Sequence, residues 1–175
     1  MRLFVAIDFS PKEKQIFTSN ADSLKKEGVR GNFSRSENYH ITLAFLGEVD
    51  RKDLGRLKNV LSSVSFKPVS ISVNGVGCFK DILVMNVERN PELDSLANSV
   101  RASLDNGKFV YDKKPFKAHM TMAREVRFPE GKSISDLSKL TEPCSTTKSE
   151  IILFESTRID GRLTYRKLYS KAASD

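Results

Sequence analysis

His40-Ile41-Thr42-Leu43 and His119-Met120-Thr121-Met122 are two spellings of one pattern, 79 residues apart, in a chain of 175 residues. They contain the only two histidines of the protein. Threonine is present 8 times, so a threonine two places after both histidines has a chance probability of roughly 0.2% under independent placement. Polar and apolar residues alternate in each tetrad, which is the period of a half-buried strand. Residues i and i+2 of a strand share a face. His40 and Thr42 therefore point one way while Ile41 and Leu43 enter the core, and His119 and Thr121 stand in the same relation to Met120 and Met122.

Outward from the tetrads, the surrounding elements repeat as well. Leu3 to Phe9 reads as a strand apolar on both faces apart from Asp8, and Ser10-Pro11-Lys12-Glu13 has the form of a capping box with proline in the first helical position. Ile16, Phe17 and Leu24 give that helix an apolar face, and Gly28 ends it. After the strand His40 to Leu46, Asp50 is expected to cap a helix carrying Leu54, Leu57, Leu61 and Val64, followed by a strand over Val69 to Val73. The pattern then restarts with a strand at Ile82 to Val87 and a helix begun by Asn90-Pro91, with Leu93, Leu96, Ala97, Val100 and Leu104 in its stripe. A strand at Ala118 to Glu125 and a short helix at Ser133 to Leu140 come next. Strands at Ile151 to Phe154 and Leu163 to Tyr169 close the chain, with Asp160-Gly161 as a hairpin turn. Leu3 to His40 and Ile82 to His119 both span 37 residues. This register implies a duplicated unit within one domain, residues 1–175, whose halves are about 1–78 and 79–175. The expected fold class is α+β: two lobes related by a pseudo-twofold axis, mainly antiparallel sheets with flanking helices, and a central cleft between them.

Composition narrows the chemistry. The net charge is +7 and the isoelectric point about 9.4, which favours an anionic partner and above all nucleic acid. Lys108, Lys113, Lys114, Lys117, Arg124 and Arg127 lie near the second tetrad, either to draw in an RNA backbone or as a solvated loop. Cys78 and Cys144 have neither metal-ligand nor redox spacing, so no metal and no cofactor is expected. Gly75-Val76-Gly77 lacks the spacing of a phosphate loop and reads as a turn. No apolar run reaches the roughly 20 residues needed to span a bilayer, and the N-terminal apolar stretch is short for a signal peptide. The expectation is a cytoplasmic monomer without a membrane partner.

Two histidines facing one cleft suit the cleavage of a phosphodiester. One imidazole takes a proton from the nucleophile and the other gives one to the leaving oxygen, and histidine changes charge near neutral pH. The hydroxyls of Thr42 and Thr121 can donate to the non-bridging oxygens, where negative charge gathers.

Met1-Arg2-Leu3-Phe4-Val5-Ala6-Ile7-Asp8, Glu37-Asn38-Tyr39-His40-Ile41-Thr42-Leu43-Ala44-Phe45-Leu46-Gly47 and Pro115-Phe116-Lys117-Ala118-His119-Met120-Thr121-Met122-Ala123-Arg124 together resemble the 2H phosphoesterases. Within them, the chain is similar to the bacterial RNA 2′,3′-cyclic phosphodiesterase branch, historically called 2′-5′ RNA ligases. The resemblance implies a bilobal fold and metal-independent hydrolysis of a terminal 2′,3′-cyclic phosphate on RNA, or on a small cyclic nucleotide, to a 2′-phosphate. It implies His40 as proton donor, His119 as proton acceptor, Thr42 and Thr121 as phosphate ligands and Arg124 as a substrate contact. Ala118 replaces a usual proline of the family, and Phe33 a frequent tryptophan. Strict alternation opposes part of this, because it places Arg124 on the face opposite His119, and Phe45 in the core opposite His40. Arg124 reaches the cleft only if the strand bulges near Ala123. Other readings are a 2′-5′ oligonucleotide phosphodiesterase or ligase, another cyclic-phosphate enzyme of the same type, a ribonuclease that makes cyclic ends, and a non-catalytic RNA-binding module.

Overall fold

The computed structural model describes residues 1–175. Along the chain lie β1 (Arg2–Asp8), α1 (Pro11–Lys26), β2 (Arg30–Phe33), β3 (His40–Glu48), α2 (Leu54–Ser62), β4 (Val69–Phe79), β5 (Ile82–Val87), α3 (Pro91–Asn106), β6 (His119–Arg127), α4 (Ile134–Ser138), β7 (Cys144–Lys148), β8 (Glu150–Ile159) and β9 (Arg162–Ala172). The helix starts follow from the sequence. Ser10 accepts from the Glu13 amide while the Glu13 carboxylate accepts from the Ser10 amide, and the Asn90 side chain accepts from the amides of Glu92 and Leu93. At the Asp160-Gly161 turn both residues have positive φ, 50° and 74°, as a tight two-residue hairpin demands.

The strands form two sheets, ordered β3-β1-β8-β9 and β2-β6-β5-β4-β7, and every pairing is antiparallel. The fold is thus the mixed α+β class with antiparallel sheets. The β1–β3 and β5–β6 pairs correspond, and α1 and α3 follow equivalent strands. The third strands are exchanged between halves of the chain: β4 pairs with β5, and β8 pairs with β1. The exchange joins both sheets through one apolar core that runs from Leu3, Val5 and Ile7 to Leu83, Met85 and Val100. Neither sheet can bury its inner face without a strand from the other half of the sequence.

Several elements differ from the sequence expectation. β4 continues to Phe79 through Gly75-Val76-Gly77, and the bulge inside it is Asn74-Gly75, with Gly75 at φ 72° between the pairs Val73↔Val87 and Val76↔Met85. Gly77 leaves room for the Asn86 side chain, whose Oδ1 would lie 2.6 Å from a Cβ there and would have to turn aside. Asp50 makes no cap; it leads into a short 3-10 turn at Arg51–Asp53 before α2. The edge strands β2 and β7 were not expected, because Arg30-Gly31-Asn32-Phe33 and Cys144-Ser145-Thr146-Thr147-Lys148 are polar and carry almost no apolar period.

Candidate active site

β3 and β6 pack against each other where the two sheets meet. Each departs from regular pairing at the same place in its tetrad. On β3, Thr42 pairs with Ala6 and Ala44 with Val5, so Leu43 is an extra residue. On β6, Thr121 pairs with Val84 and Ala123 with Leu83, so Met122 is the extra residue. A bulge shifts the alternation by one. Leu43 and Ala44 are both buried and Phe45 turns to the cleft; Met122 and Ala123 are both buried and Arg124 turns to the cleft. This corrects the assignment of Phe45 to the core, and it supplies the bulge that Arg124 needs to stand beside His119 and Thr121.

The cleft has a volume of about 870 Å³ and contains His40, Thr42, His119, Thr121 and Arg124 together. The His40 Nδ1–H donates to the Asn38 carbonyl at 2.7 Å, and the His119 Nδ1–H donates to the Lys117 carbonyl at 2.8 Å. A carbonyl only accepts, so both rings are fixed with the proton on Nδ1 and with Nε2 left for chemistry. The surroundings of the rings differ. His40 lies 4.9 Å from Phe4 and edge-on to Tyr165 at 5.1 Å, and its Nε2 accepts from the Thr42 hydroxyl at 2.9 Å. β3 and β9 are opposite edges of one sheet, so the approach of Tyr165 to His40 shows that this sheet is curled into a trough. Desolvation by these apolar neighbours dominates and lowers the His40 pKa from 6.5 to about 4, against the opposing pull of the Asn38 carbonyl and the Asp8 charge. The His119 ring has one aromatic neighbour, Phe79 at 5.7 Å, and no bond to Thr121.

Five arginines line the cleft, Arg2, Arg35, Arg124, Arg158 and Arg162, with no lysine, aspartate or glutamate among the lining residues. Such a one-signed wall concentrates anions. Of the basic residues near the second tetrad, only Arg124 belongs to it. Lys113 pairs with Asp105 and lies over the Tyr111 ring, Lys114 pairs with Asp112, and Arg127 borders a separate shallow depression. That loop is therefore a solvated, locally neutralised surface. Sequence reasoning missed Arg2, Arg35, Arg158, Arg162 and Tyr165, because the pairing of β8 beside β1 brings the last three to the cleft from about 120 residues away. The exposed arginines on either side of Asp160-Gly161 were the available clue. No group of three or more potential metal ligands converges anywhere in the chain, and no helix is long and apolar enough to cross a membrane.

Residues 9–87 match the family model described as LigT like Phosphoesterase. An RNA 2′,3′-cyclic phosphodiesterase of Archaeoglobus fulgidus is 41% identical over 133 residues, which cover 73% of this chain and 74% of that protein. One from Thermotoga maritima is 29% identical over 178 residues, covering 97% and 94%. Among solved structures, E. coli LigT in its apo form superposes with a TM-score of 0.82 at 23% identity, over 99% of this chain and 98% of that one. The same protein complexed with 3′-AMP superposes with a TM-score of 0.80.

Proposed function

This chain belongs to the LigT-like phosphoesterase family, and from that premise we propose that it opens terminal 2′,3′-cyclic phosphates on RNA to 2′-phosphates. The observation that carries the reading is the pair of imidazoles, each with Nδ1 tied to the carbonyl two residues earlier and each on the same cleft as a threonine and Arg124. In the reaction, water attacks phosphorus and gives its proton to His119 Nε2, while the P–O3′ bond breaks and O3′ takes a proton from His40 Nε2. Desolvation favours neutral His40, so its role as proton donor requires the charge of a bound phosphate to bring the proton to Nε2, from where the leaving oxygen takes it. His119 is half-exposed, on the side open to water. The Thr42 and Thr121 hydroxyls and the Arg124 guanidinium donate to the non-bridging oxygens, and Thr42 gives up its bond to His40 to do so.

Both cysteines are free thiols, which suits the reducing cytoplasm. The reading routes both proton transfers through side chains, so turnover is expected to persist in excess chelator. The test is an RNA oligonucleotide with a cyclic end, its product mapped by NMR or mass spectrometry with and without EDTA. A 2′-phosphate end under both conditions supports the reading. Accumulation of new cyclic ends, or loss of turnover in EDTA, overturns it.

A further inference from the structure

The arginines of the cleft come from several elements. Arg2 lies on β1, Arg35 precedes β3, Arg124 shares β6 with His119 and Thr121, and Arg158 and Arg162 flank the turn of the β8–β9 hairpin. Arg158 pairs across the hairpin with Leu163 and so shares a face with Leu163 and, two residues on, Tyr165, the residue that covers His40. Neither Arg158 nor Arg162 has a carboxylate partner, although twelve ion pairs are distributed over the chain. A cyclic phosphate carries a single negative charge, and Arg124 with the two threonines already accounts for it. Three further guanidiniums that line the cleft of about 870 Å³, Arg2, Arg158 and Arg162, remain without an assigned anion; Arg2 lies over the Phe45 ring, which leaves the two of the hairpin.

The hairpin is also tied to the reacting end. The Leu163 carbonyl accepts from Asn38 Nδ2 at 3.0 Å and from Arg35 Nη1 at 3.5 Å. Asn38 is 8% exposed, and its own carbonyl fixes the His40 ring. Its Oδ1 is buried without a hydrogen-bond partner, an uncompensated cost that marks the residue as held for its position. Arg35 is itself neutralised by Glu37 and serves as a strut beside Asn38. One residue therefore grips both His40 and the start of β9, so the hairpin arginines stand at a set distance from the imidazole.

We propose that Arg158 and Arg162 form a second phosphate subsite, which takes the phosphate on the 5′ side of the terminal nucleoside while the cyclic phosphate lies between His40 and His119. The inference rests on the cyclic-phosphate reading above and adds the substrate class to it: a 5′-phosphorylated or oligonucleotide end in preference to a bare nucleoside. That phosphate has the same chemistry whether it is a 5′-monophosphate or the diester of a longer strand.

The test compares kcat/KM for adenosine 2′,3′-cyclic phosphate, its 5′-phosphorylated form, and di- and trinucleotides with a cyclic end. The 5′-phosphorylated mononucleotide is expected to exceed the bare nucleoside by about tenfold or more, as a charge-assisted phosphate contact implies. In an Arg158→Ala/Arg162→Ala variant that ratio is expected to fall close to one. If only the di- and trinucleotides gain, the source is the strand diester and the subsite stands. Equal kcat/KM across the series, or an unchanged ratio in the variant, overturns the subsite while leaving the cyclic-phosphate reading intact. Absence of turnover on every substrate refutes that reading instead. Equilibrium binding of a 5′-phosphorylated trinucleotide to wild type and variant then decides the subsite alone, with equal affinity overturning it. Arg158→Lys/Arg162→Lys, which keeps charge but loses the planar fork, is expected to recover part of the ratio.

Discussion

The half of the cleft built on β3 and the half built on β6 share a backbone and differ in environment. Both strands bulge one residue past the threonine, and both tie the histidine Nδ1 to the carbonyl two residues earlier. Both rings are half-buried, yet His40 lies between Phe4 and Tyr165 and is bonded to Thr42, whereas His119 has Phe79 alone beside it. Five residues past each histidine the bulge presents Phe45 on one side and Arg124 on the other. The same backbone arrangement thus sets the geometry twice, and packing from β1 and β9 gives the two rings different surroundings. Under the proposed reaction the two rings take opposite roles at one phosphorus.

The most severe way to break the pair is to remove an imidazole. His40→Ala and His119→Ala are each expected to lower kcat by at least about 100-fold, the usual scale for a general acid or base. Steady-state kinetics on a cyclic-ended oligonucleotide reads the loss, and less than about tenfold at either position would remove that histidine from the chemistry. Next comes the position five residues on. Arg124→Ala is expected to cost about 10- to 100-fold in kcat/KM through its lost phosphate contact, and Phe45→Leu less than about fivefold. The reverse ranking would place the phosphate nearer β3 than β6.

The difference in burial has its own signature. His40 is expected to titrate near pH 4, against an ordinary 6.5, when its ring protons are followed by NMR with His119→Gln identifying the resonances. Because the folded chain disfavours the proton, the unfolded chain takes it up first as pH falls. The stability contributed by neutral His40 is therefore complete above pH 6.5 and is lost between 6.5 and about 4, a dependence that His40→Gln should flatten in thermal melts. Phe4→Ala, which opens the ring to water, should raise the titration point; a His40 that titrates near 6.5 in wild type contradicts the desolvated environment. The smallest effect separates the hydroxyls. Thr42→Val and Thr121→Val are each expected to cost roughly 2- to 10-fold in turnover, the scale of one neutral hydrogen bond. Only Thr42→Val should also move the His40 titration, because only Thr42 bonds its ring.

Much of this was legible from the order of residues. The tetrads named the two histidines and two threonines, and their equal offset from Leu3 and Ile82 suggested a repeated order of elements, which β1–β3 and β5–β6 share. The capping residues Ser10 and Asn90 marked the two long helices. What escaped has a common cause. β2 and β7 are polar edges with no burial pattern to display, and the bulges at Leu43 and Met122 exist only in the pairing with a neighbouring strand. Alternation alone therefore sent Phe45 to the wrong face and left Arg124 dependent on a bulge. The charge run from Lys108 to Arg127 could be read either as an anion site or as a solvated loop; only its Arg124 lines the cleft, and Asp105 and Asp112 neutralise part of the rest.

The sequence by itself determined that two His-x-Thr strands occupy corresponding places in an α+β fold of antiparallel sheets, because local periodicity and spacing are properties of the chain alone. The tertiary structure decided how unequal those places are. Only the exchange of β4 and β8 sets Phe4 and Tyr165 over one imidazole and brings Arg158 and Arg162 to the wall of the cleft. Desolvation and field depend on which residues meet in space, and those meetings join positions more than a hundred residues apart.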